Sequence, residues 1–246
     1  MKYIQASIFR HFENLTAVES TRHGGVSKPP FSSLNLGNFT EDVAADIQEN
    51  RRLLFTELGF EMSDFACAKQ VHGDQVLHVT KGGTYDGYDA LMTNTKGILL
   101  GITVADCTPI IIYDAHNQAL AAIHAGWRGT VSEIVAKTLH AMNHTFGTQA
   151  VDCFAYIGTC IDLEHFEVGI EVAEHFEPHC KQWNTATEKY HIDLKQANKD
   201  QLLRFGLPEN QIEISIFSTV KNVENYFSYR TENGVTGRFM ALVGLK

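Results

Sequence analysis

Short apolar runs, separated by turn residues, follow one another through the middle of the chain. They predict strands near 65–71, 75–79, 89–93, 98–104, 108–113 and 118–124. Similar runs outside this region predict strands near 2–8, 14–20, 151–157, 211–217 and 236–243. Such close spacing is typical of sheets whose strands are joined by tight turns.

Three segments carry apolar residues at helical spacing. The first follows Thr40, its predicted N-cap, and ends at Gly59. The second covers 129–146 and the third 194–205, and each is followed by a glycine. Because these helices come singly among successive strands, the order predicts an α+β fold with mixed or antiparallel sheets flanked by helices. No linker divides the chain, so we expect one domain over 1–246.

The charge balance and the length of the apolar stretches narrow the classes of function. The 246 residues include 20 basic and 29 acidic ones, which gives a formal net charge of −9. A nucleic-acid-binding protein needs a basic footprint, so nucleic acid is not expected as a partner. The longest apolar stretch, 98–105, is far shorter than the ~20 residues that cross a bilayer.

Cysteine usage and the N-terminal sequence predict a cytoplasmic protein. The segment MKYIQASIFRHFENL lacks the apolar core of a secretory signal. Five cysteines, an odd number, do not indicate a disulfide framework. We therefore expect reduced thiols, and a monomer as the default state.

The predicted hairpin formed by 108–113 and 118–124 brings two reactive side chains together. Its strands are separated by four residues of good turn chemistry, 114–117. If Tyr113 pairs with Gln118, Cys107 lies opposite His124 on one face of the hairpin. A thiolate and an imidazole at that separation can share a metal ion. A shift of one residue in register would place them on opposite faces.

His72, which lies between the predicted strand 65–71 and a Gly-Asp turn, is the candidate third ligand. Three protein ligands with an open fourth position are typical of a catalytic zinc site. Two alternatives remain open. Cys107 and His124 without a metal would suit a cysteine hydrolase, as nucleophile and base. Both side chains would also be ordinary in a hydrogen-bonded core.

Three strings, KQVHGDQV, ADCTPIII and HAGWRGTV, resemble the YfiH family, also called the laccase-domain or polyphenol oxidase family, in their order and spacing. STRHGGVS, SLNLGN, ENRRLL and FSYRTENGVTGRFMALV extend the resemblance over nearly the whole chain. The resemblance implies a layered αββα-type sandwich with zinc bound by His72, Cys107 and His124. It also implies phosphorolysis of purine nucleosides (adenosine, inosine, guanosine and methylthioadenosine) by phosphate, together with adenosine deaminase activity.

Further residues could line the same site. Asp106 adjoins Cys107 and would point away from it in a regular strand, but a bend at this position would let Asp106 act in catalysis or support the site. Arg230 stands in the SYR string of the family, and with Arg128 and Arg238 it could bind phosphate through paired N–H donors.

The Gly/Ser-rich loop and three departures from the family pattern bear on substrate binding. The loop has the sequence HGGVSKPPFSSLNLGN, and its residues His23 and Asn35 are candidates for the mouth of the site. The segment GTCIDLEHFEVG has Thr159 where the family usually has Pro and Phe166 where it usually has Tyr. Ser218 stands where many members have Cys. These changes affect the expected shape of the site, and not its metal ligands.

Other metal chemistries are less well supported by the sequence. A laccase needs several copper ions held largely by closely spaced histidines, and no His-x-His occurs among the 12 histidines. We therefore predict zinc over copper. The pairs His140/His144 and His175/His179 have helical spacing, and we interpret them as solvated helix faces. A non-catalytic nucleoside sensor or interaction domain is the remaining alternative.

Overall fold

The computed structural model describes residues 2–246. The strands in chain order are β1 (Tyr3–Ile4), β2 (Leu15–Ser20), β3 (Phe65–Lys69), β4 (Val76–His78), β5 (Gly83–Asp86), β6 (Ala90–Thr93), β7 (Leu99–Val104), β8 (Thr108–Asp114), β9 (Ala119–Ala125), β10 (Cys153–Ile157), β11 (Glu167–Val168), β12 (Lys181–Asn184), β13 (Lys189–Ile192), β14 (Ile212–Ile214) and β15 (Phe239–Leu245). The helices are α1 (Ala44–Leu58), α2 (Trp127–Val131), α3 (Ile134–Phe146), α4 (Ile170–Ala173) and α5 (Leu194–Phe205).

Two six-stranded mixed sheets form the centre of the molecule. The first has the order β1-β2-β15-β7-β3-β5 and the second β14-β10-β8-β9-β6-β4. Each contains antiparallel pairs, such as β15 with β7 and β8 with β9, and parallel pairs, such as β3 with β7 and β4 with β6. The predicted α+β class with mixed sheets is confirmed. A third sheet, β11-β13-β12, lies beside them.

Alternating side chains along the central strands explain the layers. Leu100 of β7 and Ile111 of β8 belong to one buried cluster between the two large sheets. Leu99 packs on the outer face of the first sheet in a cluster with α1. Ile112 packs on the outer face of the second sheet in a cluster with α3 and α5. Since successive strand residues point to opposite faces, both faces of both sheets are covered, as in the predicted αββα sandwich.

The N-terminal predictions need correction. The predicted strand 2–8 is only β1, followed by a 3-10 turn at Ser7–Phe9. The carboxylate of Glu213 accepts hydrogen bonds from the Ser7 hydroxyl and the Ile8 N–H, both at 2.7 Å, so these groups do not extend a sheet. The first helix begins at Ala44 and not after Thr40. Val43 holds the N-cap position, and the Thr40 hydroxyl instead donates to the Gly37 carbonyl and accepts from the Asn35 side chain.

The predicted helix 129–146 is interrupted. It consists of α2 and α3, with Glu133 in a left-handed conformation (φ 60°) between them. The N–H groups of Val135 and Ala136 at the start of α3 donate to the Gln201 side chain of α5. The Gln201 side-chain oxygen thus replaces the backbone acceptors that a continuous helix would provide for these N–H groups. Within residues 2–246, no helix has the length and apolarity needed to span a membrane.

A carboxylic acid is buried in β2. Glu19 is 1% exposed, and its Oε2 accepts a hydrogen bond from the Thr159 N–H at 2.7 Å. Burial raises the pKa of Glu19 above its ordinary value of 4.5, although hydrogen bonds from Thr159 and the charge of Lys195 act in the opposite direction. A group whose pKa is raised by folding keeps its proton to a higher pH in the native state than in the unfolded state.

Glu19→Gln should therefore remove a pH-dependent loss of stability. The wild-type contribution is fully present below the unfolded pKa and declines as pH rises through the folded pKa, at about 1.4 kcal/mol per unit of difference between the two. The neutral variant has no such decline. The melting temperature of the variant minus that of the wild type should therefore increase from pH 4.5 to pH 8. Thermal unfolding of both proteins across this range checks the prediction, and parallel curves would contradict it.

Candidate active site

The structure brings His72, Cys107 and His124 together. His72 follows β3, Cys107 immediately precedes β8, and His124 lies in β9. One ligand atom of each side chain lies within 4.8 Å of those of the other two. His124 is buried, Cys107 is half-buried and His72 is exposed, so the cluster opens towards solvent on one side. The residues thus converge from two different sheets.

The register of the β8–β9 hairpin differs from the predicted one. Tyr113 pairs with Leu120 and not with Gln118, and His124 pairs with Pro109 and not with Cys107. The Asp114 carboxylate accepts the N–H groups of two turn residues, at 3.0 Å each, so Asp114 ends the strand and the turn moves one residue onward. This moves the pairing by two positions. Since side chains alternate with a period of two, Cys107 and His124 still share a face.

One carboxylate holds two of the three clustered residues in place. Asp89, which is 1% exposed, accepts the backbone N–H groups of Val71, His72 and Gly73 at 2.8–3.1 Å. His72 adopts a left-handed conformation (φ 58°) in this turn. Successive N–H groups around such a residue form a concave anion-binding site. Here the bound anion is a side chain of the protein itself, so Asp89 determines where His72 stands.

The same carboxylate orients His124. Asp89 Oδ1 lies 2.7 Å from His124 Nδ1, and the His124 N–H donates to the Asp89 carbonyl at 2.7 Å. The Nδ1 contact directs Nε2 of His124 towards the cluster. Burial acts to raise the pKa of Asp89, but the His124 ring and the N–H groups of Gly73 and Val71 outweigh it and lower the pKa. Asp89 is therefore an ionised partner for His124.

The two innermost residues form a charged pair. Burial acts to raise the pKa of Cys107, but His124 and His72 outweigh it and lower the pKa to about 6. For His124, burial acts to lower the pKa, and the Cys107 thiolate and Asp89 raise it to about 9. The sulfur is thus a thiolate near neutral pH, the form that attacks electrophiles and binds metals.

Gly126 leaves the space that the cluster needs. A Cβ atom at this position would lie 3.1 Å from His72 Cδ2 and 3.3 Å from Cys107 Sγ. Both distances are tighter than ordinary contacts between carbon or sulfur atoms. The glycine directly after β9 is therefore required by close approach, and a side chain here would displace one of the three residues.

A cavity of about 530 Å³ opens beside the cluster. Its walls combine apolar and aromatic side chains with a few polar groups, as expected for a small-molecule site. Asp106 is the one carboxylic residue in the lining, and two arginines contribute positive charge. The lining comprises Gly37, Phe39, Gln70, His72, Thr103, Val104, Ala105, Asp106, Cys107, His124, Trp127, Ile161, Phe166, Leu194, Tyr229, Arg230 and Arg238.

Asp106 reaches the cavity because the backbone bends beside Cys107. Its φ is 84°, and β8 begins only at Thr108, so the regular alternation that would have turned it away does not apply. Its Oδ1 accepts the Thr219 hydroxyl and its Oδ2 accepts the Arg230 N–H, both at 2.6 Å. Such backbone outliers are concentrated at functional sites. The carboxylate is held in one orientation at the cavity wall.

The three arginines considered from the sequence are placed differently. Arg230 lines the cavity, and its Nη1 donates to the His165 carbonyl at 2.9 Å. Arg238 also lines it, with Nη1 bound to the carbonyls of Thr236 and Gly237. Arg128 lies outside the lining, with its guanidinium 4.4 Å from the Trp127 ring centroid. Two guanidinium groups therefore retain donors for an anion in the cavity.

The structure does not bring His23 or Asn35 to the cavity. His23 is exposed, and its Nε2 lies 3.1 Å from Asn225 Oδ1. Asn35, in contrast, is fully buried, and its Oδ1 accepts the N–H groups of Gly37 and Arg238. Asn35 thus shapes the loop behind Arg238. Neither residue is among those that line the cavity, because their polar groups are used in contacts with Asn225, Gly37 and Arg238.

The departures from the family pattern differ in their relation to the cavity. Phe166 lines it, and the Arg230 guanidinium lies 6.0 Å from its ring centroid. The Thr159 hydroxyl lies 2.8 Å from Ser215 Oγ in the buried interior. The Ser218 hydroxyl accepts N–H groups of its own turn. Phe166 is therefore the departure that can alter substrate contacts.

The donor set fits a zinc-class ion. One thiolate and two imidazoles are the ligands zinc prefers, at about 2.3 Å for sulfur and 2.0–2.1 Å for nitrogen. Asp89 supplies the carboxylate that commonly orients a ligating histidine through its other ring nitrogen. Two histidines and a cysteine also suit a copper site with a long axial methionine, but no methionine within residues 2–246 lines the cavity.

This chain is similar to proteins of one known family, in sequence and in fold. A family model described as multi-copper polyphenol oxidoreductase laccase matches residues 16–246. A purine nucleoside phosphorylase of Bacteroides thetaiotaomicron is 36% identical, over 94% of this chain and 91% of that protein. The crystal structure of YlmD from Geobacillus stearothermophilus matches with a TM-score of 0.94 at 31% identity, over 100% of this chain and 97% of that one. For the Bacillus licheniformis hypothetical protein YfiH, the TM-score is 0.92 at 29% identity, over 96% and 94%.

Proposed function

We propose that this chain, which belongs to the family described as multi-copper polyphenol oxidoreductase laccase, is a zinc-dependent purine nucleoside phosphorylase. One observation carries the proposal: the cluster of His72, Cys107 and His124 opens into a cavity that also contains two arginines. A relative from Bacteroides thetaiotaomicron bears the name purine nucleoside phosphorylase. The expected substrates are a purine nucleoside and inorganic phosphate.

His72, Cys107 and His124 would hold the zinc ion. When bound, the ion would supply a Lewis acid and could lower the pKa of a water molecule. Asp89 keeps both histidines in position through its contacts with the His72 turn and with His124 Nδ1. Because the Cys107 thiolate forms below neutral pH, the protein needs no strong base to prepare this ligand.

Arg230 and Arg238 would bind phosphate. The protein carries a net charge of −9, so two guanidinium groups in one cavity form a local exception that favours an anion. In phosphorolysis, a phosphate oxygen bonds to ribose C1′ while the C1′–N9 bond breaks. The electron pair leaves with the purine, which takes up a proton, and ribose 1-phosphate remains. Holding phosphate in line with C1′ is the contribution of the arginines.

Asp106 would act on protons or hydroxyls at the reacting end of the substrate. Its two oxygens are each held by one hydrogen bond, from Thr219 and from the Arg230 backbone. A carboxylate has further lone pairs, so an oriented Asp106 can still accept a ribose hydroxyl or carry a proton to the leaving purine. The aromatic residues Phe39, Phe166 and Tyr229 in the same lining offer apolar surface for the base.

We also propose adenosine deamination at the same site. In this reaction water replaces the 6-amino group of adenosine, and the products are inosine and ammonia. The observation that favours it is a three-ligand cluster with one open side, which is typical of catalytic zinc sites that activate water. Phosphate has no part in deamination, so the two reactions can be separated by their substrates.

Arg230→Ala should weaken phosphate binding without changing metal content. A hydrogen bond to a charged group contributes about 1.5–3 kcal/mol, so the KM for phosphate should rise roughly tenfold or more. Arg52→Ala is a suitable control, because Arg52 is exposed on α1 and paired with Glu49 at 2.7 Å, outside the cavity. Initial rates at varied phosphate check the prediction. An unchanged KM for phosphate would remove Arg230 from the anion site.

Two other chemistries are distinguished by simple measurements. The family description names multi-copper oxidoreductases, yet residues 2–246 hold only two clusters of metal-binding side chains, with two histidines in one and one in the other. Several copper equivalents with visible absorption would favour oxidation. A metal-free cysteine hydrolase would use Cys107 and His124 alone, and a trapped acyl group on Cys107 would support it.

Incubation of the purified protein with adenosine, with and without phosphate, tests the proposal. Phosphorolysis predicts adenine and ribose 1-phosphate only when phosphate is present. Deamination predicts inosine without phosphate, and inosine or its phosphorolysis product hypoxanthine with phosphate. Failure to convert adenosine, inosine, guanosine or methylthioadenosine would contradict the proposal, and tight binding without turnover would indicate a nucleoside sensor.

A further inference from the structure

A second cluster of metal-binding side chains lies outside the cavity. His179 and Cys180 belong to the 3-10 turn Pro178–Cys180, and Asp200 belongs to α5. His179 Nε2 lies 2.6 Å from Asp200 Oδ2, and Cys180 Sγ lies 3.5 Å from the same oxygen. One ligand atom of each residue lies within 4.8 Å of the other two. We propose that these three residues bind a second zinc-class ion.

The cluster offers a suitable set of donors. Sulfur, imidazole nitrogen and carboxylate oxygen are the three protein ligand types of zinc, with bonds of about 2.0–2.3 Å. Cys180 is 1% exposed while the His179 side chain is 58% exposed, so the sulfur stands at the protein side and the fourth position faces water. The predicted solvated helix face of His175 and His179 is wrong, because α4 ends at Ala173 and His179 contacts Asp200.

The carboxylate ligand is held by a neighbour. Gln196 Nε2 donates to Asp200 Oδ1 at 2.7 Å, which leaves Oδ2 directed at His179 and Cys180. Gln196 is itself fixed, since its N–H donates to Asp193, the N-cap of α5. Ligating carboxylates are commonly oriented by such outer hydrogen bonds. The arrangement thus has an oriented ligand and not only a surface ion pair.

The surroundings favour a cation. The carboxylates of Asp200, Asp193 and Glu177 act on the Cys180 sulfur as nearby negative charges. Lys181, which follows Cys180 in the chain, donates to the Ala173 carbonyl at 2.9 Å. A divalent ion would displace the thiol proton and balance the nearby carboxylates.

The ion would join two elements that lie behind the cavity wall. Cys180 and Leu194, the first residue of α5, belong to the same buried cluster as Ile161. Leu194 and Ile161 line the cavity, whereas His179, Cys180 and Asp200 do not. The second ion would thus connect the turn 178–180 to α5 behind the wall. Its role would be structural, and the reacting atoms would not contact it.

Counting bound zinc in the full-length chain tests this inference. Metal-stripped protein, dialysed against Zn²⁺ and then against metal-free buffer, should retain two equivalents. Cys180→Ser and Asp200→Asn should each retain one, and Cys107→Ser should also retain one. Cys107→Ser combined with Cys180→Ser should retain none. Cys153→Ser is the matched control, because Cys153 is equally buried and belongs to neither cluster.

Two further measurements test the second site independently of the Cys180→Ser zinc count. His179→Ala changes an exposed side chain and should also bind one equivalent, which covers the case in which Cys180→Ser fails to fold. With Co²⁺ in place of Zn²⁺, the near-ultraviolet thiolate-to-cobalt absorption of Cys107→Ser should disappear when Cys180 is also replaced. One equivalent in the wild type and none in Cys107→Ser would overturn the second site and leave the proposed function intact.

Discussion

Cys107→Ser should lose the metal ion of the active site and phosphorolytic activity together. A serine hydroxyl stays protonated near neutral pH and binds zinc poorly, whereas the Cys107 pKa is lowered to about 6. Loss of a direct ligand should reduce zinc affinity by more than the ~10–100-fold that follows loss of an orienting residue. Elemental analysis and adenosine phosphorolysis, measured on the same preparation, check this result.

The companion variant His72→Ala separates a metal ligand from a cysteine nucleophile. His72 has no place in a Cys107–His124 dyad, so a metal-free hydrolase would tolerate its loss. The metal account predicts the same joint loss as for Cys107→Ser. Cys153→Ser, which replaces a fully buried thiol elsewhere in the second sheet, should retain zinc and activity. Full activity of zinc-free His72→Ala would contradict the metal account.

Asp89→Asn should lower zinc affinity about 10–100-fold. The amide has one acceptor oxygen, so it cannot serve both His124 Nδ1 and the three N–H groups of the His72 turn as the carboxylate does. An NH₂ group facing these donors would repel them and release His72 or His124 from its position. Zinc affinity, measured by competition with a chelator, should fall more steeply than the melting temperature of the metal-free protein.

Asp114→Asn is the matched control for Asp89→Asn. Asp114 is fully buried and accepts two turn N–H groups, but it lies at the opposite end of the β8–β9 hairpin from His124. It should reduce stability and leave zinc affinity unchanged. If both variants lower zinc affinity equally, Asp89 acts only through general stability and not by positioning ligands.

The order of strands and helices was sufficient to predict the α+β class and mixed sheets. The short apolar runs predicted as strands near 98–104 and 108–113 form β7 and β8, which are buried on both faces. The cluster of Cys107 and His124 was predicted despite a wrong register, because an error of two positions preserves the face of a strand. Helix ends at Gly59 and Gly147 were predicted from glycine alone, and both adopt left-handed conformations.

Features that depend on contacts between distant segments were not predicted. Asp89 is a single acid before the apolar strand β6, and its role appears only when the His72 turn folds over it. The loop residue Thr40 was expected to cap a helix, but the helix begins four residues later, after Val43. The short strands β11–β13 lack a periodic signal because each has at most four residues. Gly126 belongs to the segment HAGWRGTV, yet only the neighbouring side chains show why this residue must be small.

The most direct test of the central claim is the rate of phosphate-dependent adenine release as a function of zinc bound at His72, Cys107 and His124. The His179→Ala variant is the suitable background, because it removes one ligand of the second cluster and lets the zinc count report on the first. Metal-stripped protein should be inactive, and the rate should rise in proportion to bound zinc up to one equivalent per chain. A full rate in the metal-free protein, or no ribose 1-phosphate from the fully loaded protein, would contradict the account.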